Sequence, residues 1–322
     1  MEQKNINNKK ICVIVPAFNE EKLIKKTIES IPNYVQSILV INDCSVDETK
    51  QIVEEISIKN KKISLVNLEK NMGVGFALRT GYLKAYHENY DIGVVMPGDA
   101  QALAEDFYNI VEPVCFGKAD YSKGNRLKYK GVSNIMPKHR FFGNSMLTLF
   151  TKFATGYYHI MDPQMGYTAL NLKLVPFLNL DKLIKRYGYP GQLLYFLNLI
   201  DSKVSDVNVK PHYGEEKSGI KLITFIPKLF FLLIKLFFSR VFKKIILGNL
   251  SPAGITYFFS FLMFFIFIPI FLMRALDNYF SKSYIPELTF IALTTSITLF
   301  FIFFFFGVLF DVQENKDLIG DI

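Results

Sequence analysis

The sequence is poor in cysteine and, over long stretches, in charge. Its three cysteines, Cys12, Cys44 and Cys115, are scattered without metal-ligand spacing, and the polar start MEQKNINNKK carries no secretory signal. An odd, dispersed set of thiols argues against a disulfide framework and for a reducing compartment. Charge is missing altogether from two late runs, Ile255 to Met273 and Leu288 to Phe310. Each reaches the roughly 17–25 residues that cross a bilayer, and phenylalanine-rich faces all the way round leave no surface for water. Two transmembrane helices are therefore expected rather than two buried core helices. Pro269, late in the first run, is expected to kink that helix rather than end it.

Carboxylates are absent between Lys217 and Lys244, where Lys217, Lys221, Lys228, Lys235, Arg240, Lys243 and Lys244 alternate with Leu, Ile and Phe. These cations come close to the whole net charge of +8. The pattern predicts an amphipathic helix, or two broken at Pro227, lying on an anionic membrane surface. A third span would put Lys228 and Lys235 in hydrocarbon, which is costly. Long aliphatic side chains between the cations, rather than exposed aromatics, argue against nucleic acid as a partner. By the positive-inside tendency, the same charges place the N-terminal part in the cytoplasm and, after two spans, the tail DVQENKDLIGDI there as well. Three stretches follow: a cytoplasmic domain over 1–216, basic interfacial helices over 217–250, and a two-span cell-membrane anchor with its tail over 251–322. The spans also offer a face on which copies of the chain could pair as a homo-oligomer.

What is present in the first stretch is alternation. The apolar run Ile11 to Val15 suits a strand buried on both faces, and Asn19, Glu20 and Glu21 read as the cap and first turn of a helix. SILVINDCSVDETKQIVEEI repeats the plan, with a strand from Ile38 to Ile41 and a helix from about Asp47; ISLVNLEKNMGVGFALRTGYLKAY repeats it again, and IGVVMPGD adds a fourth strand. Strands alternating with helices predict a mostly parallel sheet with ligands beyond the carboxyl ends of its strands. Asn19, Glu20, Asp43, Asp47, Asn71, Gly73, Gly75, Asp99 and Gln101 fall at those ends. Singly, Asp43 and Asp47 read as helix caps and the glycines as turn residues. Together they supply the acceptors that a sugar nucleotide needs.

The segments VIVPAFNE, INDCSVDET, NMGVGFALRTGY, GDAQ, KGNR and DPQMGYTAL, in this order, resemble the family-2 glycosyltransferases of GT-A fold, and among them the membrane-anchored polyprenyl-phosphate enzymes. The resemblance implies a Rossmann-like α/β domain over about Ile11 to Gly219. It implies an inverting enzyme that moves a sugar from a nucleoside diphosphate sugar to a polyprenyl phosphate, for cell-envelope polysaccharide or glycoconjugate synthesis. Pro16, Phe18, Glu20, Asp43, Asp47, Asn71, Gly73, Arg79 and Asp99 would hold the donor, and Asp99 with Gln101 would ligate Mg²⁺ or Mn²⁺. Arg126, Arg140 and Asn144 would hold the acceptor phosphate, with Asp162 beside it.

Two family features are missing. Pro97 stands where the Asp-x-Asp-x-Gln pattern has its first aspartate, and RYGYPGQLLYFLNL contains no acid where hydroxyl-directed relatives place a base. A phosphate acceptor is already anionic and needs none. Extension of a polyprenyl-diphosphate-linked sugar, with Asp162, Glu215 or Glu216 as base, is the enzymatic alternative; a catalytically silent scaffold is the other, and Pro97 is its only support.

Overall fold

The computed structural model describes residues 6, 8–129, 138–186, 188–212, 222–249 and 251–321, with the backbone alone at 138–144, 222–226 and 249. The chain divides into two compact units, one of Met1–Leu236 with Asp317–Ile322 and one of Phe237–Lys316.

The first unit is built on strands β1 (Ile11–Ala17), β2 (Ser37–Asn42), β3 (Ile63–Asn67), β4 (Ile92–Val95), β5 (Tyr121–Asn125), β6 (Thr168–Asn171) and β7 (Val204–Asn208). Helices α1 (Ile24–Ser30), α2 (Thr49–Lys59), α3 (Val74–His87) and α4 (Phe107–Cys115) alternate with the first five strands, and α5 (Lys138–Thr155) and α6 (Tyr189–Leu199) flank β6. The sheet order is β3-β2-β1-β4-β6-β5-β7, and β6 alone runs antiparallel to its neighbours. Val13, Val15 and Val40 pack into one core layer, whereas Ile14, Leu39 and Ile41 pack into the other. That two-sided burial is why these strands read as continuous apolar runs rather than alternating ones.

The first loop differs from the expected cap. Asn19 takes a left-handed conformation (φ 57°), its Oδ1 accepts the Val46 N–H and its own N–H bonds to Ser45 Oγ, so it laces the β1 loop to the β2 loop. Helix α1 begins only after a further turn, at Ile24.

The basic segment forms one helix, α7 (Leu222–Arg240), with Pro227 inside it, and no break occurs at that proline. Within the first unit Leu229, Leu233 and Leu236 are buried in the main core, while Lys228, Phe230, Phe231, Ile234 and Lys235 are exposed. The inner face of α7 thus completes the first unit's core. The tail returns to the same unit, where Leu318 is buried, Ile319 bridges Val204 in parallel, and the Gly320 N–H bonds to the Val204 carbonyl. Only glycine fits at 320, since a Cβ would lie 2.5 Å from Ser205 Oγ and 2.6 Å from Ala119 Cβ.

The second unit contains α8 (Pro252–Leu262), α9 (Ile268–Lys282) and α10 (Glu287–Glu314). Two helical stretches, Pro252–Lys282 and Glu287–Glu314, are long and apolar enough to cross a membrane. A π-helical turn at Met263–Phe267 precedes Pro269 and carries the first stretch past the proline, whose missing N–H and ring would break a regular ladder. Arg240 is not a lipid-facing cation as the charge pattern implies. It is fully buried and forked onto Asp311, because the 229, 233, 236, 240 spacing puts it on the inward stripe of its helix.

Candidate active site

A cleft of about 360 Å³ opens at the carboxyl ends of β1, β2 and β4 and is lined by Pro16, Phe18, Glu20, Asp43, Asn71, Gly73, Pro97, Asp99, Arg186 and Tyr189, among others. Sheets of this kind bind ligands at that edge, and the volume suits a small-molecule ligand. Seven of the expected donor residues are thus brought together, from Pro16 to Asp99.

Each is held by local bonding. The Gly98 N–H bonds to the Pro16 carbonyl at 3.2 Å, tying the β4 loop to β1. Asp43 accepts the backbone N–H groups of Met72 and Gly73, each at 2.7 Å, so its carboxylate organises the Asn71–Gly73 turn as well as facing the cleft. Asn71 Oδ1 is buried without a hydrogen-bond partner, an acceptor that a ligand N–H or O–H would satisfy. Asp99 Oδ1 accepts the Gln101 N–H at 3.1 Å across Ala100, a non-glycine residue at φ 55°. Backbone strain of this kind costs on the order of 1–3 kcal/mol and concentrates at functional sites. Gln101 is half-buried in that turn and is not among the residues lining the cleft.

Two expected donor residues lie elsewhere. Asp47 accepts Thr49 N and Oγ1 and the Glu21 N–H, so it caps α2 and ties it to the β1 loop. Burial pushes its carboxyl up, but these hydrogen bonds outweigh that and hold it below the ordinary value. Arg79 faces away, ion-paired to Asp181 and lying over the Phe76 ring. The contacts that both make in this structure are with the scaffold.

Arg186 and Tyr189 carry no motif signal of their own, and their stretch RYGYPG stands out in the sequence only for the acid it lacks. Their loop explains the glycines of NMGVG. A Cβ on Gly75 would lie 1.9 Å from the Ile184 carbonyl oxygen, and one on Gly73 (φ 94°) 2.5 Å from that of Lys185. The Phe76 N–H bonds to the Lys185 carbonyl, while the Gln192 amide grips Ile184 N and Lys182 O. Gly75→Ala is therefore expected to push the 184–186 loop off α3, costing about 1–3 kcal/mol as overpacking does and weakening nucleotide binding. Thermal melting with and without nucleotide checks both effects.

On the acceptor side, Arg126 forks onto Asp162, with Nε to Oδ2 at 2.7 Å and Nη2 to Oδ1 at 3.2 Å. Asp162 is fully buried. Lys123 is buried behind this pair and donates to the Met165 carbonyl; burial pulls its amine down to about 8, with Asp162 opposing. Asn125 donates to Asp206, which Lys128 also approaches at 3.3 Å, and burial pushes the Asp206 carboxyl up. His159 bonds to the Val204 carbonyl, a structural contact. The side chains of Arg140 and Asn144, and residues Glu215 and Glu216, lie outside the described residues.

Comparison with known proteins agrees with this geometry. Residues 12–175, just over half of the chain, match the Glycosyl transferase family 2. A UDP-N-acetylglucosamine–dolichyl-phosphate N-acetylglucosaminyltransferase of Methanococcus voltae is 29% identical over 221 residues, 65% of this chain and 88% of the relative. A dolichyl-phosphate beta-glucosyltransferase of Trichomonas vaginalis is 25% identical, covering 64% of this chain and 65% of the relative. Among solved structures, glucosyl-3-phosphoglycerate synthase of Mycobacterium tuberculosis, in complex with Mn²⁺, UDP and glucosyl-3-phosphoglycerate, superposes with a TM-score of 0.55 at 19% identity over 74% of this chain and 81% of that one. That likeness shows the fold, a GT-A-type sheet. The chain belongs to glycosyltransferase family 2.

Proposed function

We propose that the protein is an inverting, divalent-metal-dependent transferase that moves a sugar from a nucleoside diphosphate to a polyprenyl phosphate at the cytoplasmic face of a membrane. The observation that carries this reading is the cleft itself, with Glu20, Asp43, Asn71 and Asp99 at the ends of adjacent strands. Its donor set suits a hard cation: Asp99 and Glu20 offer carboxylate oxygens, and Gln101 in the adjoining turn would add an amide oxygen. Although three acids line the cleft, no three acids, histidines or cysteines among the described residues lie close enough together to hold an ion, so Mg²⁺ or Mn²⁺ here would take most of its oxygens from diphosphate and water. Bound there, the ion would neutralise charge on the departing diphosphate.

The relatives named above act, by their names, on dolichyl phosphate. The acceptor side supports a phosphate nucleophile in this chain too. Asp162 has both oxygens on Arg126, and Asp206 is buried with Asn125 and Lys128, so neither is placed to take a proton from a hydroxyl acceptor. Arg126, fixed by Asp162, and Lys128 provide positive charge that orients an anion for in-line attack, and Arg140 would add to it. The exposed Phe230, Phe231 and Ile234, interspersed with Lys228 and Lys235, suit contact with an anionic bilayer. The tail lies on β7 of the unit that precedes the spans, which supports both ends of the two-span stretch lying on one side of the membrane.

The test is purified protein supplied with labelled UDP-, GDP- and dTDP-sugars and either polyprenyl phosphate or a polyprenyl-diphosphate-linked sugar. Product from polyprenyl phosphate, with Asp162→Asn retaining the wild-type pH profile, is expected. Product only from the diphosphate-linked acceptor, on a carboxylate pH profile that Asp162→Asn removes, would promote the extension reading instead.

A further inference from the structure

Arg186 lies outside every segment that carries the family likeness, yet it is the only cation among the described residues that line the cleft. Its neighbours there include the acids Glu20, Asp43 and Asp99. A nucleoside diphosphate brings further negative charge into that group, and a single ion at Asp99 would offset only part of it.

The backbone of Arg186 is fixed and its head is not. Lys185, next to it, is hydrogen-bonded to the first turn of α3 at 3.1 Å, and Ile184 to Gln192 at 2.7 Å. The side chain is exposed, with one long hydrogen bond from Nη2 to the Asn71 carbonyl at 3.4 Å. An anchored Cα with a weakly held guanidinium is the arrangement of a residue that re-aims onto a ligand at small cost. From this geometry we propose that Arg186 binds the diphosphate of the donor, its planar fork matching two phosphate oxygens. The proposal rests on the reading of the cleft as a nucleoside diphosphate site and names the protein group that recognises the phosphates. It assigns the 182–186 stretch, held by Gln192 and admitted by Gly73 and Gly75, the task of placing that cation.

The experiment is calorimetric titration of full-length protein in nanodiscs, with Mg²⁺, using UDP, GDP and dTDP and their monophosphates UMP, GMP and dTMP on wild type, Arg186→Met and Arg186→Lys. Arg186→Met keeps the apolar stem and should melt as wild type does. It should bind the favoured diphosphate about ten- to a hundredfold more weakly, as loss of a charged hydrogen bond implies, with a smaller loss for the monophosphate and partial recovery in Arg186→Lys. Equal losses for mono- and diphosphate, or no loss, overturn the proposal and leave the donor site standing. Wild-type protein that binds none of the three diphosphates overturns the donor reading, and the proposal falls with it.

Discussion

Asp99→Asn is expected to lower sugar transfer by about a hundredfold or more while leaving the fold unchanged, in line with the 10²–10³ typical of losing one group that stabilises developing charge. The amide oxygen of asparagine can still accept the Gln101 N–H that shapes the turn, so the strained Ala100 conformation has no reason to relax. What disappears is the negative charge, and with it the strongest protein ligand available to a hard cation in the cleft. EDTA should reproduce the loss in wild type and change the variant little. Pro97→Asp should leave activity equal or raise it, and lower the metal concentration needed, because Pro97 also lines the cleft and a second carboxylate there adds ligand charge. Wild-type rates that persist in EDTA, or full activity in Asp99→Asn, would falsify the metal role. A scaffold without catalysis predicts no transfer from wild type and none restored in Pro97→Asp.

Much of the first unit is legible in the sequence because its parallel strands are local and continuous in pattern. Ile11–Ala17, Ser37–Asn42 and Ile92–Val95 are apolar runs followed by polar loops, and the cleft forms where those loops meet. The antiparallel β6 is less visible, since Thr168–Asn171 is short and its place between β4 and β5 depends on pairing over long separations. Motif letters identify the family without showing what each side chain does in the fold: Asp43 faces the cleft and braces a turn, Asp47 caps α2 and ties it to the β1 loop, and Arg79 pairs with Asp181 and lies over the Phe76 ring. Nothing local reveals Arg186, which reaches the cleft because Gly75 allows a backbone carbonyl 109 positions along the chain to approach. Arg240 misleads for the same reason. Its neighbours in sequence are apolar and basic, and its partner lies 71 residues away.

That partner makes Asp311→Asn the other large expected effect, a loss of about 3–5 kcal/mol from the second unit, the usual result of stripping one member from a buried ion pair. Arg240 and Asp311 are both fully buried and joined by two hydrogen bonds, Nη1 to Oδ1 at 2.8 Å and Nη2 to Oδ2 at 2.6 Å. Asn315 Nδ2 bonds to Asp311 Oδ1 at 2.7 Å, and the Tyr257 hydroxyl is 3.4 Å from Oδ2. The aspartate is therefore the hub of a polar cluster among Val241, Ile245, Ala253 and the rings of Phe237, Tyr257 and Phe304. Removing its charge leaves the buried guanidinium facing a neutral amide where the carboxylate was, whereas replacing both members with apolar residues of similar size removes the problem as well as the bond. Arg240→Met with Asp311→Leu should accordingly melt within about 1–2 kcal/mol of wild type, and each single change far below it. The measurement is thermal unfolding in nanodiscs of the two singles and the double, with nucleotide titration as a control, since the donor cleft belongs wholly to the other unit. Additive losses in the double variant would mean that the two charges are stabilised separately, and an unchanged melting temperature in Asp311→Asn would mean that Arg240 finds water instead of being sealed against Asp311.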